Sequence, residues 1–416
     1  MLRKLLAKLK GKGRQHPSST QASTQITGKF QQDERALREK FKGCNDVKFK
    51  KMNIPSMNRR QALLIYVEGL VNIDALQRDI ISRLLTKNKR VEDITELISA
   101  GETKTSRSID ESAPEILLGK VAILVAGIPN LLTVESKEWP MRSIEEPLQE
   151  RLIRGPREGF TEVIHVNVAL VRRRLPDPML KVKFTTVGRR SHTKVSIMYI
   201  EDVCNMKTVG EIEERVNAID IDGILDPGAL AELITERNVS PFPLFASTER
   251  PDKVVGGLLQ GKVAIISDGS PFAMLAPSAA EDFFQTPEDY YLHPLLATTG
   301  RLMRLGGLFM GTTLVAAFTA VISYHYEILP SNIVVFVAST REPVPFTPLT
   351  EALILEFAVE LLREASIRLP GPIGPTLSIV GALILGQAAV SARLISPVML
   401  IFVAVSFIGG SIIPNY

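Results

Sequence analysis

Cysteine is nearly absent. Cys44 and Cys204 are the only two in 416 residues, too few and too far apart for a disulfide framework or a metal knuckle. Histidine is scarce too. None of His16, His165, His192, His293 and His325 stands in a His-x3-His spacing, so no metal ion and no cofactor are expected. No Gly-x-Ser-x-Gly elbow occurs, and nothing in the chain argues for an enzyme or a catalytic residue. The net charge is only +4 and mixed in sign, which gives no reason to expect nucleic acid. Past Arg304, charge itself almost disappears. Leu305–Ser323 holds no Asp, Glu, Lys or Arg, and most of the chain to Tyr416 reads alike, apart from an acidic patch around Glu351–Glu364. Before Arg304 the sequence is that of an ordinary soluble protein. The expected architecture is therefore an α/β cytoplasmic region followed by an α-helical transmembrane region.

The start, MLRKLLAKLKGKGRQ, is basic and lacks the apolar core of a signal peptide. Ser, Thr and Gln dominate the stretch to Gln32. Residues 1–45 read as a basic, mostly disordered tail, with Leu2, Leu5, Leu6 and Leu9 able to touch a membrane surface.

Two stretches then repeat. YVEGLVNIDAL around Tyr66 matches YIEDVCNMKTV around Tyr199, aligning Glu68 with Glu201 and Asn72 with Asn205. GKVAILVAGIP from Gly119 matches GKVAIISDGSP from Gly261. Each copy holds an apolar run, an amphipathic helix and a second apolar run, the pattern of buried strands alternating with helix. Two related α/β subdomains follow, 46–150 and 151–298. The second carries an insertion, because its two matched segments lie further apart.

Gly256-Gly-Leu-Leu-Gln-Gly261-Lys262-Val263 imitates a phosphate loop. Val263 replaces the hydroxyl that would hold magnesium, and a strand is expected where a helix should begin, so a hairpin turn is the reading. Arg172-Arg173-Arg174 follows an apolar run, His165–Val171, expected as a strand with an exposed basic end or a subunit contact.

In the charge-poor part, 299–416, Leu302–Ser323 is long enough to span a bilayer. Arg301 and Arg304 before it place that end, and the soluble part with it, in the cytoplasm. Ile328–Thr340 is short and interrupted by Pro330, as in a half-helix. Ile373–Leu394 and Pro397–Ile413 are further spans, the former with Gly381 and Gly386 for close helix contact. Between them, Pro348–Ile367 places Glu356, Glu360, Arg363 and Glu364 on one helical face. Such a face lines a water-filled path in an oligomer or belongs to a helix lying flat in the interface.

Several motifs occur in order: Arg154-Gly-Pro-Arg157-Glu158-Gly-Phe-Thr-Glu162, Ser240-Pro-Phe-Pro243, Thr248-Glu249-Arg250-Pro-Asp252, Asp268-Gly-Ser-Pro-Phe272, Glu288-Asp-Tyr-Tyr291, Leu362-Arg-Glu-Ala365 and Gly386-Gln-Ala-Ala389. Together they resemble the A subunit of the GerA family of spore germinant receptors over about 46–416, with the stage V sporulation protein AF as a close paralogue. The resemblance implies a nutrient-sensing membrane subunit of the spore inner membrane that oligomerises into a ligand-gated ion channel. It implies a transporter-like B subunit and a lipoprotein C subunit as partners, besides membrane lipid and copies of the same chain. It expects more hydrophobic sequence and a polar tail after Pro414-Asn-Tyr416, hence a C-terminally truncated membrane domain. It also expects a Pro-Ala-Leu-Tyr-like stretch where Leu314–Ala320 stands. Under it, Glu356, Glu360, Arg363 and Glu364 become pore-lining candidates. Arg154, Arg157 and Glu158 become candidates for ion pairs between subdomains or subunits, as do Glu249, Arg250 and Asp252. A non-conducting scaffold organised by the cytoplasmic module is the alternative.

Overall fold

The computed structural model describes residues 24–86, 94, 98, 102–135, 147, 150, 155–235, 243–368, 381, 384 and 386–412. The chain divides into two compact units, Met1–Arg151 with Pro156–Ser278, and Leu152–Gly155 with Ala279–Tyr416.

The first unit contains both copies of the duplication. The first copy opens with helix α1 (Phe30–Lys40) and continues through strands β1 (Val47–Ile54) and β2 (Arg60–Val67). A helical run follows, made of α2 (Ile73–Ala75), a π-helical turn (Leu76–Ile81) and α3 (Ser82–Leu85). Then come β3 (Thr103–Ser106), α4 (Ile109–Leu117), β4 (Lys120–Val125) and β5 (Leu131–Glu135). The second copy repeats the series. It runs α5 (Ile164–Arg174), β6 (Leu180–Val187), β7 (Thr193–Ile200), α6 (Met206–Asn217), α7 (Pro227–Ile234), β8 (Ala246–Thr248), α8 (Pro251–Leu259), β9 (Val263–Ser267) and β10 (Ala273–Ala276).

The sheets are ordered β1-β2-β4-β5-β3 and β6-β7-β9-β10-β8, the same topology twice, with every neighbouring pair antiparallel. Central strands are apolar on both faces because helices cover both. Leu63, Ile65 and Leu124 pack with Leu37, Ile109 and Ile116. Leu64 and Ile123 pack with Leu76, Ile80 and Leu84 on the other side. Ile266 and Met198 face α5 and α8, while Ile197 and Ile265 face α6 and α7. Each fully buried Leu or Ile contributes roughly 1.5–3 kcal/mol.

The matched residues hold matched positions. The Asn72 carboxamide accepts from the amides of Asp74 and Ala75, and that of Asn205 from Lys207, each capping a helix start. Tyr66 pairs with Lys48 across β1–β2 and Tyr199 with Lys181 across β6–β7. Lys48 meets Glu68 at 3.1 Å and Lys181 meets Glu201 at 3.2 Å. Gly119 and Gly261 end α4 and α8 with φ of +94° and +87°. A Cβ at either would press on a carbonyl, Leu70 O at 3.1 Å or Val203 O at 3.0 Å.

Three expectations change. The phosphate-loop imitation is the C-terminal cap of α8 leading into β9, not a hairpin turn: Lys262 N donates to Gly257 O at 3.0 Å. The run His165–Val171 lies in helix α5, not in a strand. The part of the expected tail from 30 to 40 is helix α1, with Leu37 fully buried; the leucines of the N-terminal stretch lie outside the described residues.

The second unit is helical. The helix α9 (Pro294–Tyr324) spans 31 residues and is long and apolar enough to cross a membrane. It is followed by α10 (Ser331–Arg341), α11 (Pro348–Arg368) and the shorter apolar α12 (Pro397–Ser411). Half of the expected span Ile373–Leu394 lies outside the described residues. Glycine lets α9 and α12 touch backbone to backbone. A Cβ on Gly307 would stand 2.7 Å from Gly409 O, and Ser406 Oγ donates to Gly311 O at 2.9 Å.

Candidate functional site

Two motifs far apart in sequence meet in the second copy. Pro251 starts α8, and Arg250, the residue before it, is 1% exposed. Its guanidinium donates to Glu150 O at 3.1 Å, to Pro156 O at 2.7 Å and to Asp252 Oδ2 at 3.0 Å. The Glu150 carboxylate in turn accepts from the Glu249 amide at 3.0 Å and from Lys253 at 2.8 Å. Phe160 N donates to Glu249 O at 2.8 Å. The Thr161 amide donates to Asn167 Oδ1 at 2.7 Å. Glu158 receives Arg173 and Arg174. Burial pushes the Glu158 carboxyl up, but the two guanidinium groups outweigh it and hold the group below its ordinary value.

Of the interface candidates, Glu158, Glu249, Arg250 and Asp252 thus gather around one buckle. The bonds found for Glu158 and Asp252 run within the second copy, and Arg250 also reaches back to Glu150. Arg157 is exposed. Arg154 lies outside the described residues.

The junction between the copies is elsewhere, and sequence reasoning missed it. Of the arginine run only Arg172 points inward. It is fully buried, and it forks onto Asp46 with Nε to Oδ2 at 2.8 Å and Nη2 to Oδ1 at 3.0 Å. Its third donor goes to Asp177 O at 2.9 Å. Burial alone would lower the Arg172 pKa, yet the Asp46 carboxylate beside it raises it, so this guanidinium stays charged. Beside it, Val182 N donates to Gly43 O and Asn45 N donates to Val182 O, both at 2.9 Å. The segment before β1 therefore adds itself to the outer edge of β6. Cys44 is buried there, and burial pushes its thiol pKa up, which keeps it a thiol. No local signal singles out Arg172, since Asn167–Arg172 are all buried in α5.

In the second unit, Ala352 and Leu355 face the helix cluster with Met399 and Val403. Glu356, Glu360 and Glu364 lie on the exposed part of α11. Arg363 is half-buried, 3.3 Å from Glu360 and 5.2 Å from the Phe407 ring centre. One acid of the same helix turns inward. Glu351 is fully buried and accepts from the amide and hydroxyl of Ser396, each at 2.6 Å. It thereby fastens α11 to the start of α12, with Arg341 at 3.6 Å. At the base of α9, Arg304 grips Asp289 at 2.7 and 2.9 Å and Arg301 reaches it at 3.2 Å. Burial raises the Asp289 pKa, but these cations and the Thr286 amide bring it below the ordinary value. The Glu288-Asp-Tyr-Tyr291 motif is the collar of this helix.

Among the described residues no group of three or more His, Cys, Asp and Glu is placed to hold a metal ion. The two gripped motifs and the buried forks are devices for positioning backbone.

A model of the Bacillus/Clostridium GerA spore germination protein matches residues 35–416. The chain is 36% identical over 386 residues to spore germination protein GerLA of Bacillus cereus, covering 91% of this chain and 78% of that one. It is 36% identical over 378 residues to spore germination protein KA of Bacillus subtilis (strain 168), covering 89% and 70%. Among solved structures, the N-terminal domain of the A subunit of the Bacillus megaterium spore germinant receptor GerK3 is 31% identical, with a TM-score of 0.49, covering 62% of this chain and 98% of that one.

Proposed function

The chain belongs to the GerA family of spore germination proteins, and on that premise we propose that it is the membrane subunit of a nutrient-sensing germination receptor which oligomerises into a ligand-gated ion channel. The observation that carries the receptor part is the family match across almost the whole chain. The channel part is supported by α11. A helix that shares a cluster with apolar helices, yet exposes Glu356, Glu360 and Glu364 in a single copy, suits water or another copy beside that face. A ring of copies around a cation path supplies both. In this reading the protein sits in the spore inner membrane, with the two sheets on the cytoplasmic side where Arg301 and Arg304 lie. A transporter-like B subunit and a lipoprotein C subunit complete the receptor.

The second reading, a non-conducting scaffold, is favoured by one observation: the buried arginines of the first unit hold backbone carbonyls, Arg172 that of Asp177 and Arg250 that of Pro156.

Cation flux from liposomes holding the receptor distinguishes the two. Glu356→Gln and Glu360→Gln are expected to lower nutrient-triggered potassium flux severalfold or change its cation selectivity. Flux and selectivity unchanged in both would remove α11 from the path, and absence of any flux from the complete receptor would favour the scaffold.

A further inference from the structure

An edge strand presents unpaired amides and carbonyls that another extended segment can take up. The second copy shows how this fold fills such an edge. The segment Gly43-Cys44-Asn45 pairs with Val182 of β6, in parallel, and the next residue places its carboxylate on Arg172. The duplication lets the same place be found in the first copy. The cross-strand pairs Lys48–Tyr66 and Lys181–Tyr199 make Phe49 the counterpart of Val182. The caps formed by Asp33 on Thr27 and Asn167 on Thr161 make Arg38 the counterpart of Arg172.

That place is open. β1 is the outer strand of its sheet; at its start Val47 N turns back to Cys44 O at 3.1 Å, and among the described residues no other strand pairs with its outer side. A cavity of ≈ 530 Å³ lies against it, lined by Phe41, Val47, Lys48, Phe49 and Arg38 among others. Arg38 lies 4.6 Å from the Phe49 ring centre, with its side chain 48% exposed. Glu34 holds it at 2.9 Å, so an incoming carboxylate would share or replace that partner. Arg38, Lys48, Lys50 and Lys51 outnumber Glu34 and Glu68 along this edge, which favours an acidic occupant. Another copy of this chain fits poorly. The segment of the second copy that corresponds to 43–45 is Pro176-Asp177-Pro178, in which Pro178 lacks the amide that Asn45 supplies to the pairing. Asp177 Oδ1 is also engaged, by Met179 N at 2.8 Å.

We propose that the outer edge of β1 is a docking strand for an extended, acidic segment of a different protein, which pairs in parallel with Phe49 and sets a carboxylate on Arg38. This goes beyond the receptor reading and does not depend on ion conduction.

The test uses the full chain in lipid nanodiscs. The probe is an acetylated Lys-Gly-Val-Asn-Asp-Val peptide, with a Lys-Gly-Val-Asn-Lys-Val peptide as control. The acidic peptide is expected to slow amide hydrogen exchange over residues 47–54, and the control is not. Arg38→Ala should weaken the acidic peptide about tenfold, the usual worth of one charge-assisted contact. Phe49→Pro should abolish pairing while leaving exchange in β2 unchanged, because the Phe49 amide faces outward. If that variant does not fold, Lys50→Glu with Arg38→Ala carries the test. A photo-crosslinker at Lys50 in native membranes should yield an adduct with an acidic stretch of another protein. No protection by the acidic peptide, equal protection by both peptides, or adducts only between copies of this chain would overturn the proposal.

Discussion

At the scale of single residues, the arginines separate into those that hold backbone and those that meet solvent. Arg250 is the clearest holder, since its donors reach Glu150 O and Pro156 O. Arg250→Ala would leave two carbonyls without these donors and open a hole at the start of α8. A loss of about 2–4 kcal/mol is expected from such a buried network. Hydrogen exchange on the full chain in detergent should show it as faster exchange over 155–162 than over β9. Arg250→Lys should recover little, because one ammonium cannot reach both carbonyls with a fixed fork. Unchanged exchange in Arg250→Ala would show that the buckle does not depend on it. The Thr248–Asp252 motif was visible as a distinctive string. That it meets the Arg154–Glu162 motif at Pro156 was not, because such a contact leaves no periodic trace along the chain.

At the scale of elements, apolar runs served well for the strands around LLIYV and VSIMYI and failed at His165–Val171. His165–Val171 carries too few residues to separate a buried strand from a buried helix. Tertiary packing decided it: Ile164, Val168 and Val171 enter the same cluster as Val254 and Leu258 of α8. The glycine ends of α4 and α8 are a stronger case of local coding. Both hold positive φ against a carbonyl, so Gly119→Ala and Gly261→Ala should each cost about 1–3 kcal/mol, from left-handed strain plus the contact. Asn at either site should cost less, since Asn tolerates that backbone region. Thermal unfolding of the full chain in detergent measures both. Equal midpoints for Ala, Asn and Gly would mean that the caps carry no strain.

At the scale of the whole molecule, the two copies of the first unit are joined by a buried fork and a strand-like splice, with Ala169 of α5 packed into the core of the first copy. Asp46→Asn would leave the Arg172 guanidinium buried without a counter-charge, a loss of about 3–5 kcal/mol. The expected outcome is loss of joint unfolding, with the two sheets exchanging hydrogen at separate rates. Asp46→Leu together with Arg172→Met should restore much of the stability, because an apolar pair of similar volume needs no desolvation. If Asp46→Asn leaves one cooperative transition, the splice at Val182 suffices by itself. The pore candidates belong to this scale too. Glu356, Glu360 and Glu364 are exposed in one copy, so their environment is set by whatever surrounds that copy.

The sequence by itself determined the charge-poor stretch past Arg304, the duplication and the long apolar helix. All of these are written in near neighbours or in composition. The tertiary structure alone decided that Arg172 rather than Arg173 or Arg174 is buried, that Glu351 turns inward while Glu356 does not, and that 43–45 splices onto β6. The reason is physical: a charged side chain is stable inside only where a specific partner arrives from a distant part of the chain, and nothing local announces that partner.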